Sequence, residues 1–502
     1  MLNNSTFCIE ILRTFERKEL ENFKDFISCR YFNTDKYVIR LLEILDRKKI
    51  LGKRIFDTDM RDIVRRELFE KRPIAKASET KKLKKEKALF NAKMNLLQKL
   101  AENFLAIQTM EHNEAHKYEL LYHELLDRKL FRLFERHANK NRKLLRKQII
   151  KDQEDYGQSY RTERKFYDFL ALNDRFYVKD NLSKMMHDLD IYYILNNLHI
   201  RLSALALKQT VEKKDYNFPS MEIIETLIKY PEYSKHPLIR LYVASIELKK
   251  SMSQKSYDYL LYTLDEVSSV VPTEILKDCY STCIAHCIHG IISGDKDRDH
   301  RKNMLDLYRT MHNKNLMLDE GIILPYQLKN MVVIACKKEQ FGWAKDITEY
   351  YYSYVRKPIR ESVYNFNIGI IAFNQKKFDI AHDKFLKVRD IDLTYDINVR
   401  VLILKCYYEK ARLLKESKRH YNEQIMGTIR NAKTYFKNKK ELTSNSKKSY
   451  ENFAQILIYL YRILHGVGKI ILESVKERLD KQEVNADKQW LREKLAELEK
   501  RK

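Results

Sequence analysis

The sequence predicts an all-α fold in which antiparallel helical hairpins stack into an α-solenoid behind an N-terminal helical region. Three observations carry this. Glycine and proline are scarce, 10 and 7 in 502 residues, with no Pro between Pro73 and Pro219 and no Gly between Gly157 and Gly290; tight turns and β-hairpins need both. Charged residues make up 33% and hydrophobic residues 44%, a helical composition with enough apolar surface for real cores. Apolar residues recur at helical spacing along most of the chain.

The chain divides by pattern into a helical module over 1–70, long basic helices over 71–215, a hairpin array over 216–440 and C-terminal helices over 441–502. In the first region Leu20, Phe23, Phe26 and Ile27 form one stripe, and Tyr31 and Phe32 are expected to pack at its helix end. Asn33-Thr34-Asp35 reads as a turn and cap for a helix from Tyr37 to Leu45, and Phe56 to Met60 as a further helix start. Residues 71–87 carry eight Lys/Arg against two Glu, with Pro73, and read as a loop entering a long solvated helix. That helix continues from Ala88 to Met110, with Leu89, Met94, Leu97, Leu100 and Phe104 as its buried stripe. Further helices are expected over 113–127, 128–151, 160–176 and 182–208, the last burying Leu189, Tyr192, Tyr193, Leu195, Leu198, Leu202 and Leu205. The 33 tyrosines suit helices that are half buried and half wet.

From His236 onward hairpins recur, with first helices beginning near 236, 272, 324, 360, 395 and 444. Pro237, Pro272, Pro325 and Pro358 sit near helix starts, where a missing N–H costs nothing. The clearest hairpin is Ser362 to Tyr395. Its first helix spans about Arg360 to Asn374 with Tyr364, Ile368, Ile371 and Ala372 apolar. Its second spans about Phe378 to Asp390 and buries Ile380, Ala381, Phe385 and Val388. The polar turn Asn374 to Lys377 makes the two antiparallel neighbours. Gly369 and Ala381 are small enough for close backbone approach, and Phe385 fills the space beside them. The final stretch, Asp480 to Lys502, places Trp490, Leu491, Leu495 and Leu498 on one face, as a terminal cap or a partner-seeking helix.

The residues of this hairpin resemble the tetratricopeptide repeat (TPR). Ile368-Gly369 stand for its L-G, Ala372 for its bulky residue, and Ala381 and Phe385 for its Ala and aromatic. Asn365 replaces the usual Trp, and Leu393 the usual Pro. A preceding unit, Leu328 to Pro358, is similar with Val332 at the Gly place, Ala344 at the Ala place and Thr348 at the aromatic place. The opening helices, a later cysteine-bearing helix and this hairpin together resemble a family of uncharacterised bacterial all-helical proteins over most of the chain. That resemblance implies a helical fold and a cytoplasmic compartment, and no activity.

The net charge of +26 suits an acidic partner such as nucleic acid, an anionic membrane surface or an acidic protein; it also suits solvated Lys-rich helix faces. Seven widely scattered cysteines suit reduced thiols in a cytoplasm. The first twenty residues lack the pattern of a signal peptide. The most apolar run, Ile456 to Tyr461, is interrupted by Arg462, His465 and Lys469, so no membrane span is expected.

Four constellations invite chemistry. Arg136, Lys140, Lys143, Lys147 and Lys151 step by four, three, four and four, flanked by Arg142 and Arg146, with no acid between. On one helix they form a stripe of about 22 Å that could track phosphates or face water. Cys279, Cys283, His286, Cys287 and His289 have spacing that tempts a metal assignment, but one helix turns His289 away, and Cys packs readily at hairpin crossings. Asp295, Asp297, Asp299 and Asp306 place His300 where a calcium loop needs Gly, among Lys296, Arg298, Arg301 and Lys302. Gly466-Val-Gly468-Lys469 lacks phosphate-loop spacing, and Asp188 and Asp190 fall on different sides of a helix.

No catalytic set, metal or cofactor is assigned from these patterns; an enzyme would need a buried polar cluster, which they do not reveal. The expectation is a non-enzymatic scaffold or adaptor whose groove holds a protein or peptide partner, with Tyr364, Asn365, Asn367, Lys329 and Asn330 facing it. The alternative is nucleic-acid or ribonucleoprotein binding through residues 71–151, carried by Arg136, Lys140, Arg142, Lys143, Arg146, Lys147 and Lys151. Partner identity and oligomeric state are not encoded in these patterns.

Overall fold

The computed structural model describes residues 4–52, 58–69, 79–147, 151–172, 179–210, 221–295, 297–389, 391–413, 419–467 and 470–500. These residues are almost wholly helical. Among them there is no strand, and one isolated bridge pairs Asp319 with Ile322. The expected helix start at Phe56 and Asp57, the loop around Pro73 and the pair Gly468-Lys469 lie outside the described residues. The chain forms two compact units, residues 1–193 and 194–502.

The N-terminal unit opens with α1 (Asn4–Thr14), α2 (Arg17–Ser28), α3 (Lys36–Arg47) and α4 (Thr58–Leu68), all packed on the long α5 (Glu79–His112). Asp35 caps α3 by accepting from the Tyr37 N–H at 2.9 Å, as its place before an apolar run requires. Phe23 and Ile27 are buried, whereas Tyr31 is exposed rather than packed. In α5, Met94, Leu97, Leu100 and Phe104 are buried, but Leu89 is exposed and its neighbour Phe90 buried in its place. One helical residue is a 100° step, so a phase error of one residue moves a side chain off the core face. The same shift occurs in α9, where Leu189 and Tyr193 are exposed and Ile191 and Ile194 are buried.

The unit continues with α6 (Glu114–Asp127), α7 (Phe131–Lys147) and α8 (Gln153–Leu172), which pack on one another. Helix α9 (Lys179–Thr210) follows, and the boundary between the units falls within it. Of the expected helix over 128–151, the described residues give Phe131–Lys147, Lys151 is not helical, and 148–150 lie outside the described residues.

The C-terminal unit contains α10 (Met221–Leu227), α11 (Pro231–Ser234) and then successive hairpins: α12 (Pro237–Ser251) with α13 (Gln254–Val267), α14 (Thr273–Ser293) with α15 (His300–Asn313), α16 (Pro325–Lys337) with α17 (Phe341–Tyr350), and α18 (Arg360–Asn374) with α19 (Phe378–Leu386). Helices α12 and α14 pack together, as do α16 and α18. Prolines stand at the first turns of α12 and α16. The unit ends with α20 (Leu393–Leu413), α21 (Arg419–Asn438), α22 (Ser444–Leu464), α23 (Leu472–Asp480) and α24 (Lys488–Glu499) around one core. Ile456, Leu457, Ile458, Leu460 and Tyr461 fill that core, together with Trp490, Leu491, Leu495 and Leu498 of α24. The apolar face of α24 is thus already covered by its own chain.

A recurring helix ending explains how so few glycines suffice. Lys129, Asn315, Glu339 and Lys376 have left-handed backbones with φ of 57°, 56°, 57° and 62°. In each case the next N–H bonds a carbonyl five residues back, as Lys377 does to Ala372 at 2.9 Å. Glycine usually takes this position. The chain accepts a side chain there at a cost of about 1 kcal/mol each.

Among the described residues no helix is long and apolar enough to cross a membrane. All seven cysteines are free thiols, and all but Cys29 are buried.

Candidate functional site

The α18–α19 hairpin positions most of the residues expected to face a partner. A Cβ at Gly369 would lie 2.6 Å from Cε1 of Phe385, closer than real side chains approach, so only glycine lets the two helices meet here. Ala381 is fully buried beside it. The Phe385 ring packs on Phe366 at 6.0 Å, and Phe366 meets Tyr395 edge-on at 4.7 Å. In the preceding hairpin Val332 and Ala344 are also fully buried, and the Thr348 hydroxyl donates to the Ala344 carbonyl at 2.7 Å.

On this frame Lys329 of α16 is half-buried with its Nζ 5.7 Å from the Tyr395 ring centre, and burial lowers its pKa. Lys384 sits 5.7 Å from the Tyr364 ring centre and donates to Asn365 Oδ1 at 3.3 Å. Tyr352 meets Tyr364 edge-on at 5.5 Å. Asn330 lies beside Tyr308, whose pKa burial pushes up to about 12. Asn365 and Asn367 are buried, the latter completely. Each amide donates back to the carbonyl four residues earlier, Glu361 and Val363, at 2.8 and 2.9 Å. Asparagine satisfies its own helix in this way, which turns both amides from the surface. Tyr364, Lys329 and Asn330 stay half-exposed, and Lys384, which the sequence pattern did not single out, joins them.

The basic stripe is shorter and less uniform than its spacing suggests. Arg136, Lys140, Lys143, Arg146 and Lys147 are exposed on α7. Lys140 donates to the Tyr118 hydroxyl at 2.9 Å and lies 3.5 Å from Glu114. Arg142 instead points inward, 2.9 Å from Glu163 and 4.3 Å from the Phe166 ring centre. Lys151 lies beyond the end of α7, half-buried, 5.5 Å from the Tyr156 ring centre, with its pKa lowered by burial and by Lys184. The stripe on the helix thus covers Arg136 to Lys147, about 16 Å.

The cysteine- and histidine-bearing helix is a packed core element. Cys279, Cys283 and Cys287 are buried, and burial pushes the Cys279 and Cys287 thiols up to about 12 and about 11. His286 stacks on Tyr257 at 4.8 Å, while His289 is exposed. The neighbouring aspartates hold the chain itself. Asp295 receives a His300 hydrogen bond at 2.7 Å, and Asp299 caps α15 and pairs with Lys338 at 2.5 Å.

The N-terminal unit also contains a buried polar lattice that spacing did not reveal. Ser159 donates to Asp188 at 2.6 Å, and Lys184 donates to both, at 3.0 and 2.6 Å. Glu163, 1% exposed, receives Arg142 and Asn181. Asn141 donates to Thr162 at 3.3 Å. Asp188 alone of the Asp188/Asp190 pair is in this lattice. Its partner Ser159 lies 29 residues away, beyond the reach of any local pattern. The lysine is held by a carboxylate and the serine proton is already given to it, so the three groups spend their bonds on one another.

Comparison with known proteins brings no match: no family model, no curated protein and no solved structure is similar to this chain.

Proposed function

We propose that this chain is a non-enzymatic scaffold, a TPR-like α-solenoid whose hairpins hold a protein or peptide partner. The observation that carries the reading is a pair of half-buried lysines, Lys329 over Tyr395 and Lys384 over Tyr364, neither in ion-pair distance of a carboxylate among the described residues, with Asp392 near enough to Lys329 to offset part of its burial. Desolvating an ammonium without pairing it is unfavourable. A carboxylate from a partner would relieve that cost, and Tyr364 and Asn330 add aromatic and hydrogen-bonding contact. The partner surface is therefore acidic, and it rests on Lys329, Asn330, Tyr364 and Lys384. The cytoplasm suits seven unpaired thiols.

The test is affinity capture from lysate of the source cells, with and without nuclease, using the native chain and a Lys329→Glu/Lys384→Glu variant. A protein partner that survives nuclease and is lost from the variant is the expected result. Loss of all captured material on nuclease treatment would overturn it.

A second reading, nucleic-acid or ribonucleoprotein binding through α7, draws on Arg136, Lys143, Arg146 and Lys147. These are exposed and make no ion pair among the described residues. It requires that Lys143→Glu/Lys147→Glu remove the nuclease-sensitive material.

A further inference from the structure

The α21–α22 hairpin carries a second basic feature, of a different shape. Between the two helices lies a concave site of about 480 Å³ lined by Arg430, Lys433, Lys437, Ile458, Tyr459 and Arg462. Among the described residues no carboxylate lines it. Lys433 donates to Gln455 Oε1 at 2.6 Å, which fixes the register of the two helices at its centre. Arg430, Lys437 and Arg462 make no ion pair among the described residues. Arg478 of α23 donates to the Tyr459 hydroxyl at 3.0 Å, with its guanidinium 5.5 Å from that ring's centre. The nearest acid on the same face of α22, Glu451, stands one turn before Gln455 and outside the lining.

The chemistry of the lining selects among anionic partners. From Arg430 to Lys437 the cations run about 10 Å along α21, one per turn, in a row that can neutralise phosphates of one backbone. Two arginines present planar forks suited to phosphate oxygens. The one aliphatic lining residue, Ile458, is buried, so the lining that reaches solvent is cationic and polar apart from the Tyr459 ring. A concave site also mates poorly with a flat bilayer. Helices in contact lie about 8–10 Å apart, so their shared groove follows one phosphate backbone at a time.

We propose that the α21–α22 groove binds the phosphate backbone of single-stranded nucleic acid, with Arg430, Lys433, Lys437 and Arg462 on successive phosphates and Tyr459 beside a base. This goes beyond the scaffold reading, since it places a different ligand on a different surface of the C-terminal unit. Four phosphate contacts on a single strand give a slope of log K against log salt of about −3.

The experiment is fluorescence anisotropy of a labelled twelve-nucleotide oligothymidylate with the full chain, across a salt series. The native chain is expected to bind with that slope. Arg430→Glu/Arg462→Glu is expected to weaken binding at least tenfold, and Arg430→Gln/Lys437→Gln, which keeps the helix shape, to flatten the slope by about 1.4 units. Lys143→Glu/Lys147→Glu in α7 and Lys329→Glu/Lys384→Glu are expected to leave it unchanged. Equal affinity for a duplex of the same length, equal competition by polyglutamate, or loss of binding only in the α7 variant would each overturn the proposal. So would the absence of salt-sensitive binding by the native chain. None of these outcomes bears on the protein partner of Lys329 and Lys384.

Discussion

The crossings at α18–α19 and at α7–α8–α9 solve the same packing problem with opposite chemistry. In the first, glycine removes a side chain so that Phe385 rests against the backbone of Gly369. In the second, the interface is filled by Arg142, Glu163, Asn181, Ser159, Lys184 and Asp188, joined by charged and neutral hydrogen bonds. An apolar seam tolerates loss of a contact in proportion to the space left behind. A buried polar lattice depends on every member, because one missing partner strands a desolvated group. The two units should therefore fail differently.

The largest effect is expected from the lattice. Glu163→Ala leaves Arg142 and Asn181 facing a cavity and should destabilise the N-terminal unit by about 3–5 kcal/mol, read as faster amide exchange across α7, α8 and the first turns of α9. Replacing both partners, Arg142→Met with Glu163→Leu, should recover much of that loss. If the double variant is as damaged as Glu163→Ala alone, the charges are not the source of the cost.

Next is the seam. Gly369→Ala forces a methyl group into the Phe385 ring and should cost about 1–3 kcal/mol. Combined with Phe385→Leu, the penalty should shrink because the ring is gone. A neutral Gly369→Ala would mean that the helices separate freely, and the contrast with the lattice would fail.

The smallest effect sharpens the comparison inside the C-terminal unit, where His286 is a polar ring in an otherwise apolar crossing. Both of its ring nitrogens are buried without a hydrogen-bond partner among the described residues. Burial, and then the nearby His300, lower its pKa, so the folded state holds it neutral. The unfolded chain takes up a proton below about pH 6.5. The contribution of His286 is thus fully present above that pH and declines below it, by at most about 1.4 kcal/mol per pH unit. His286→Phe should make the acid-side decline of stability shallower. His312, His382 and His465 are lowered by burial as well, so some slope should persist. An unchanged slope would show that His286 reaches water.

Several features were legible in the sequence because they are local. The starts of α12 and α16 follow from Pro237 and Pro325, whose fixed φ suits a first helical turn. The pairing of Gly369 with Phe385 follows from a short polar turn between two amphipathic segments. Other features were not. Leu89 and Tyr193 lie at the margin of an apolar stripe, where the tertiary neighbour decides which side is wet. Asn365 and Asn367 looked available to a partner, but the helix carbonyls behind them claimed their amides. Arg142 belonged to a stripe of seven basic residues until Glu163, 21 residues on, drew it inward.

The groove between α21 and α22 shows the same division. Its cations are visible in the sequence, but Arg430 and Arg462 are 32 residues apart, and only the hairpin brings them to one site. By itself the sequence determined that this chain is helical, where many of its helices begin, and which hairpin closes on a glycine, because backbone propensity, capping and short-range packing act within a few turns. The tertiary structure alone decided which charges are paired, which polar groups are buried, and which basic residues line a concavity. Those depend on what a distant helix places opposite each side chain.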